Sequence, residues 1–318
     1  MDCRKTITGM LALTVALTVC ASVWAGQEYP AKPVHILSHS APGSNDLFIR
    51  ALQPYLQREL GVPVVIENVL GAAGRLCTTQ VYNADPDGYT ILSNTIPLTI
   101  VGQILYNGKY DTLKFEHIFS FDDSPYCMLV KKGSPIKSYT QLIEEINKNP
   151  EMTNGTSGVG GSMHLQSMVM KKALGIDYAD IPFDGSGNAM LAVMAGDVDF
   201  CIIQFDLPLN NLEEVEVLAV FNDKRLEQYP DTPTAKELGF VFQTINSHRC
   251  LNAPPGTPKE VTDTLIEAIR RAFAYPEFQE WAKSRGVLLD PKYGREYYEI
   301  SKATYDLVYS LKDLIKID

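Results

Sequence analysis

Residues 155–164 (GTSGVGGSMH) gather four glycines and three hydroxyl side chains into ten positions. Leu165, Met168, Val169 and Leu174 follow in a helical pattern, and Gly175 stands as its stop, so the spacing predicts a glycine-rich loop running into a helix start. Such a start offers N–H groups with no intrahelical partner and about half a positive charge, which suits a carboxylate or phosphate. Glycine there permits positive φ and close approach of a ligand to the backbone. On this reading Ser157, Gly158, Gly160, Ser162 and His164 are candidate ligand-binding residues. The same residues also read as a plain turn with Ser162 as an ordinary N-cap.

Other chemistries find little footing. A phosphate-binding GxxxxGK[ST] is absent, because no lysine stands in residues 155–162. Residues 160–164 (GGSMH) depart from a GxSxG nucleophile elbow, since His164 replaces the last glycine. A Ser162–His164 dyad keeps a serine hydrolase as an alternative reading, although one turn of helix is poor geometry for it. The five histidines form no HExxH and no CxxC is present, so neither catalytic residues, a metal nor a cofactor is expected.

The elements that must position these residues alternate. Residues 34–37 read as a buried strand, 38–45 (SHSAPGSN) as a loop, and Asp46 to Gly61 as a helix interrupted by Pro54. Strand signals recur at 64–66, at 89–92 (ending in Ser93-Asn94-Thr95), at 128–130, 178–182 and 198–203, and at 287–289. Helical patterns cover 138–146, the stretch from loop 183–187 (FDGSG) to Gly196, then 259–273, 276–284 and 294–314. Strand, loop and helix in this order predict an α/β fold with largely parallel sheets, whose ligands bind beyond the carboxyl ends of the strands.

Arg4 and Lys5 precede an apolar run over residues 10–19, with small residues up to Ala25. This is the pattern of a secretory signal peptide over residues 1–25, which directs the chain to the periplasm; Cys20 offers a lipoprotein anchor as the alternative. The net charge is −10, and removal of the leader, whose Asp2, Arg4 and Lys5 carry +1, leaves −11. No basic block interrupts this acidic composition, which argues against a nucleic-acid partner. The spacing of Cys77, Cys127, Cys201 and Cys250 names no disulfide pairing, and three of them fall in apolar strand-like runs, so buried free thiols are expected. A mature chain of about 290 residues is long enough for two domains.

Taken in order, several motifs give the chain a resemblance to the Bug-type periplasmic receptors of tripartite tricarboxylate transporters, covering nearly the whole mature chain. They are YPAKPVHIL at the start, APGSND at 41–46, NVLGAAG at 68–74, DPDGYT at 85–90 and GVGGSMHL at 158–165. PFDGSG at 182–187, GDVD at 196–199, DTPT at 231–234 and APPGTP at 253–258 continue the series.

The resemblance implies an α/β, type II-like periplasmic binding protein fold, two lobes joined by two crossing strands, closing over a small organic carboxylate. It places lobe 1 at residues 27–123 and 248–290, lobe 2 at 124–247, and a C-terminal helix, 291–318, across the lobes. It implies a non-enzymatic receptor serving the membrane subunits of a tripartite transporter, with a sensor for a membrane kinase as the alternative partner. The site it implies comprises Ala41, Gly43, Asp46 and Thr95 from lobe 1, the candidates of residues 157–164 and Gln204 from lobe 2, and Arg249 at a crossing strand. Asp46, being acidic, is expected to cap its own helix or meet an amine, hydroxyl or water. The chain departs from the family pattern at Pro42, which replaces a glycine, at His39-Ser40, and at Val69. It departs again at Ile203, where an aspartate is frequent and Gln204 and Asp206 are nearby substitutes.

Overall fold

The computed structural model describes residues 29–39, 44–242 and 244–314. The expected leader over residues 1–25, with Cys20, and the candidates Ala41 and Gly43 lie outside these residues. Two mixed sheets carry the chain. The first contains β1 (Val34–Ser38), β2 (Val64–Asn68), β3 (Thr90–Ile96), β4 (Glu116–Asp122), β10 (His248–Ala253) and β11 (Leu289–Tyr293), in the order β11-β4-β10-β3-β1-β2. The second contains β5 (Tyr126–Lys131), β6 (Thr153–Thr156), β7 (Ala179–Pro182), β8 (Phe200–Gln204) and β9 (Val215–Phe221), in the order β7-β6-β8-β5-β9. We call the bodies built on them lobe 1 and lobe 2.

The expectation of largely parallel sheets needs correction. β1 runs parallel to β2 and β3, and β6 to β7 and β8, but β10 is antiparallel to β3 and β4, and β5 to β8 and β9. The reason is connectivity: β4 leads out of lobe 1 into β5, and β10 brings the chain back, so these strands cannot share the direction set by strand–helix–strand crossovers. Between them Ser124 and Ser247 form an antiparallel bridge, each N–H donating to the other's carbonyl at 2.9 and 3.0 Å. These are the two crossing segments.

Helices cover both sheets. Lobe 1 carries α1 (Ser44–Leu60), α2 (Arg75–Tyr82), α3 (Leu98–Ile104), α7 (Lys259–Phe273) and α8 (Pro276–Ser284); lobe 2 carries α4 (Tyr139–Lys148), α5 (Ser162–Leu174) and α6 (Ser186–Ala195). Sequence dictates their faces. Val261, Leu265, Ala268, Ile269 and Ala272 recur along one side of α7 and are all buried, packing with Phe48, Ile49 and Leu52 of α1 in the lobe 1 core. In β5, Tyr126 through Val130 are all fully buried, as a central strand covered on both faces requires. Ser138, outside α4, caps it by accepting from Gln141 N–H at 3.1 Å. The strand expected at 287–289 forms instead at Leu289–Tyr293, where Lys292 and Tyr293 find partners on β4.

A third apolar cluster spans the lobes. Ile96, Ile100 and Val101 of lobe 1 and Leu165 and Val169 of α5 pack with Tyr297, Val308 and Leu311 of α9 (Arg295–Leu311). All four described cysteines are buried and free. No helix among the described residues is long and apolar enough to cross a membrane.

Candidate functional site

A cleft of about 390 Å³ opens between the lobes. Its walls come from the loops that follow β1, β3, β6, β7 and β8, at the carboxyl ends of the strands, where such sheets hold ligands. Four helix starts reach it: Asn45 in the first turn of α1, Pro97 and Leu98 at the short α3, Gly161 and Ser162 at α5, and Ser186 at α6. At α5 the N-cap is Gly161, and no side chain fills the capping role; the expected N-cap, Ser162, is the first helical residue. The first N–H groups of α5 therefore have no intrahelical acceptor.

Of the candidates named from sequence, Thr95, Ser157, Ser162, Gln204 and Arg249 line the cleft. Thr95 is held from behind. Its carbonyl accepts from Thr99 Oγ1 at 2.9 Å, and Thr99 accepts from Asn94 Nδ2 at 2.8 Å. Asn252 Nδ2 then joins Asn94 Oδ1 at 2.7 Å to Tyr297 Oη at 3.0 Å, so this wall is tied to α9. Gln204 Nε2 approaches Ser162 Oγ at 3.5 Å and Tyr126 Oη at 3.4 Å, while its Oε1 is buried with no partner among the described residues.

Arg249 sits on the floor, with Cζ 5.7 Å from the centre of the Phe48 ring. Its guanidinium pairs with the buried Asp122, whose Oδ1 also accepts from Arg249 N–H at 2.9 Å. Burial pushes the Asp122 carboxyl upward against the pull of Arg249, and the charge of Asp206 adds to the push.

Four candidates stand outside the cleft lining. Asp46 is buried at the side of α1 and is fully used there: it accepts from Arg50 Nε at 2.8 Å and from Asn68 Nδ2 at 2.6 Å. Burial works against its charge, but these hydrogen bonds and the Arg50 cation prevail and hold the carboxyl below its ordinary range. Gly158 accepts from Gly161 N–H at 3.1 Å to close the turn. Gly160, at φ 73°, gives its N–H to His164 Nδ1 at 3.0 Å. A side chain on Gly160 would meet Tyr106 Oη, Leu105 Cδ1 and Val101 Cγ1 at 3.5–3.6 Å, all of them in lobe 1.

The middle of the 155–164 loop is thus an interlobe contact, reinforced by Tyr106 Oη donating to Val159 O at 3.1 Å. His164 locks it, with Nε2 4.0 Å from Asp180 Oδ2. Burial lowers the pKa of His164, Asp180 opposing and Lys171 assisting, which keeps Nδ1 available as an acceptor. Ser162 accordingly has no basic partner, and the hydrolase alternative loses its dyad.

Sequence reasoning did not single out Asn45, Ser124, Gly161, Ser186, Leu207 or Ser247 as site residues, yet all line the cleft. Ser186 belongs to a stretch, 183–187, with the same Gly/Ser signature as 155–164, so its signal was present. Ser124 and Ser247 carry none, because only their pairing across the fold brings them to the cleft. Asp206, noted only as a substitute for a family aspartate, also lines it. Among the described residues no group of three or more His, Cys, Asp or Glu is arranged to hold a metal.

Two α/β lobes, two crossing segments and a polar cleft walled by strand ends and helix starts from both lobes define a solute-binding receptor. The sequence matches the family described as the tripartite tricarboxylate transporter family receptor over residues 48–316, and the chain belongs to that family. This is a receptor family, not an enzyme family. The chain is 32% identical over 280 residues to a UPF0065 protein of Bordetella pertussis, covering 86% of each chain. It is similar to the periplasmic binding protein BugD (30% identity, 90% of this chain and 97% of that one, TM-score 0.70). It also shares its fold with MatC from Rhodopseudomonas palustris with bound malate (23% identity, 91% and 100% coverage, TM-score 0.72).

Proposed function

We propose that the protein is an exported, periplasmic receptor that binds a small carboxylate-bearing solute in the interlobe cleft. It then delivers the solute to the membrane subunits of a tripartite tricarboxylate-type transporter. In this reading residues 27–123 with 248–290 and residues 124–247 act as the two closing lobes, with 291–318 bracing them. The convergence of the starts of α1, α5 and α6 on one cleft carries the proposal. Each start contributes a partial positive charge and N–H donors, and the hydroxyls of Thr95, Ser157, Ser162 and Ser186 complete a donor-rich surface suited to a carboxylate. MatC, which has the same fold, holds malate. Membership in the transporter receptor family favours delivery to a transporter over signalling to a kinase.

The test is calorimetric titration of a carboxylate panel into wild-type protein and Ser162→Asp. An aspartate in the first turn of α5 favours the helix dipole, so the variant should fold. Its own carboxylate would stand where the ligand's is placed, and binding should fall at least about a hundredfold, roughly 2.7 kcal/mol. Wild-type affinity in a folded variant would remove the α5 start from the site.

A further inference from the structure

The charge in the cleft does not balance for a plain carboxylate receptor. Arg249 is the one cationic side chain among the described lining residues, and Asp122 already matches it. Residues 40–43 (SAPG), which precede α1, contain no charged residue. Asp206 adds a carboxylate to the same lining; it stands two residues beyond β8, half-buried, and its side chain makes no hydrogen bond or ion pair to any described residue. Its field is felt by Asp122 and Tyr126. Beside it, Gln204 Oε1 is a second acceptor without a donor.

Acceptors and donors are therefore segregated. The starts of α5 and α6 and the serine hydroxyls offer donors, whereas Asp206 and Gln204 Oε1 offer only acceptance. A desolvated carboxylate left unpaired in a closed cleft is costly, and a second ligand carboxylate beside it would add like-charge repulsion. A cation on the ligand removes both difficulties. From this arrangement, and resting on the carboxylate reading above, we infer that the cleft selects a zwitterion. The ligand carries a protonated amine seated against Asp206 and Gln204 as well as a carboxylate held at the helix starts.

Matched pairs differing only in the amine test this: alanine against lactate, aspartate against malate, phenylalanine against 3-phenyllactate, and 4-aminobutyrate against butyrate. Each is titrated into wild-type protein and Asp206→Asn, with circular dichroism to establish folding. We expect the amino member of at least one pair to bind tenfold or more tightly than its partner. Asp206→Asn should weaken that member by roughly ten- to a hundredfold, as for loss of one charged hydrogen bond, and leave the partner unchanged or improved. Equal or tighter binding of the amine-free members overturns the inference while leaving a carboxylate receptor standing. Failure of every pair to bind overturns both.

Discussion

On the lobe 1 side of the cleft the charged groups have found counterparts within the lobe. Asp46 is held by Arg50 and Asn68, and Arg249 by Asp122. On the lobe 2 side the side chains of Ser157, Ser186 and Asp206 line the cleft with no hydrogen-bond partner among the described residues, and Gln204 keeps one buried acceptor unfilled. The two walls are assembled from the same parts, yet the charged groups of one are matched and the Asp206 carboxylate of the other is not. An unmet buried polar group costs more than a made hydrogen bond returns. Lobe 1 therefore reads as the prearranged half, and lobe 2 as the half whose polar groups are satisfied when ligand arrives.

The comparison breaks most visibly at the floor of lobe 1. Arg249→Ala leaves Asp122 buried and uncompensated, so it should destabilise the fold by about 3–5 kcal/mol. Urea denaturation measures this, and a loss below about 1 kcal/mol would put the pair in the class of surface ion pairs.

Acid provides the next test. Burial holds His39 and His117, both in lobe 1, at about 4, against 6.5 for the free side chain; a backbone hydrogen bond from His117 to Phe115 opposes the shift there. Between these values the unfolded chain binds more protons, so each histidine's contribution is complete above 6.5 and is lost as pH falls toward 4. The slope is about 1.4 kcal/mol per pH unit for each. Denaturation at pH 7, 6 and 5 should show this loss, and His117→Gln should make it shallower by about one proton's worth. Parallel slopes for variant and wild type would contradict the assignment.

A smaller effect separates the two roles within residues 155–164. Gly160→Val strains a position at φ 73° and crowds Tyr106, for a stability cost of about 1–3 kcal/mol. Ligand affinity should survive in the folded variant, because Gly160 faces α3 instead of the cleft. Loss of binding with the fold intact would return Gly160 to the ligand site.

Much of this architecture was legible from local pattern. The apolar faces of α7 and α5, the Gly175 stop and the apolar runs at 126–130 of β5 and 200–203 of β8 follow from hydrophobic periodicity and run length, which a chain displays residue by residue. β6, with the sequence TNGT, has no such signal; it forms because β7 and β8 pair with it on either side. The glycine-rich loop announced a helix start, and the cleft does use Ser157 and Ser162. Which glycines meet a ligand and which meet Tyr106 depends on how the lobes close, and no local pattern carries that. Asp46 and Asp206 make the same point: both are acidic residues near a cleft, and only the partners supplied by Arg50 and Asn68 distinguish a structural carboxylate from an open one.

The central claim is that a carboxylate occupies the cleft at the start of α5. Its most direct test is to purify wild-type protein and Ser162→Asp from the same exporting cells, denature both, and identify the released small molecules by mass spectrometry. The account predicts a carboxylate-bearing compound released from the wild type and absent from the folded variant. Equal release from both proteins, or a compound without a carboxylate, would contradict it.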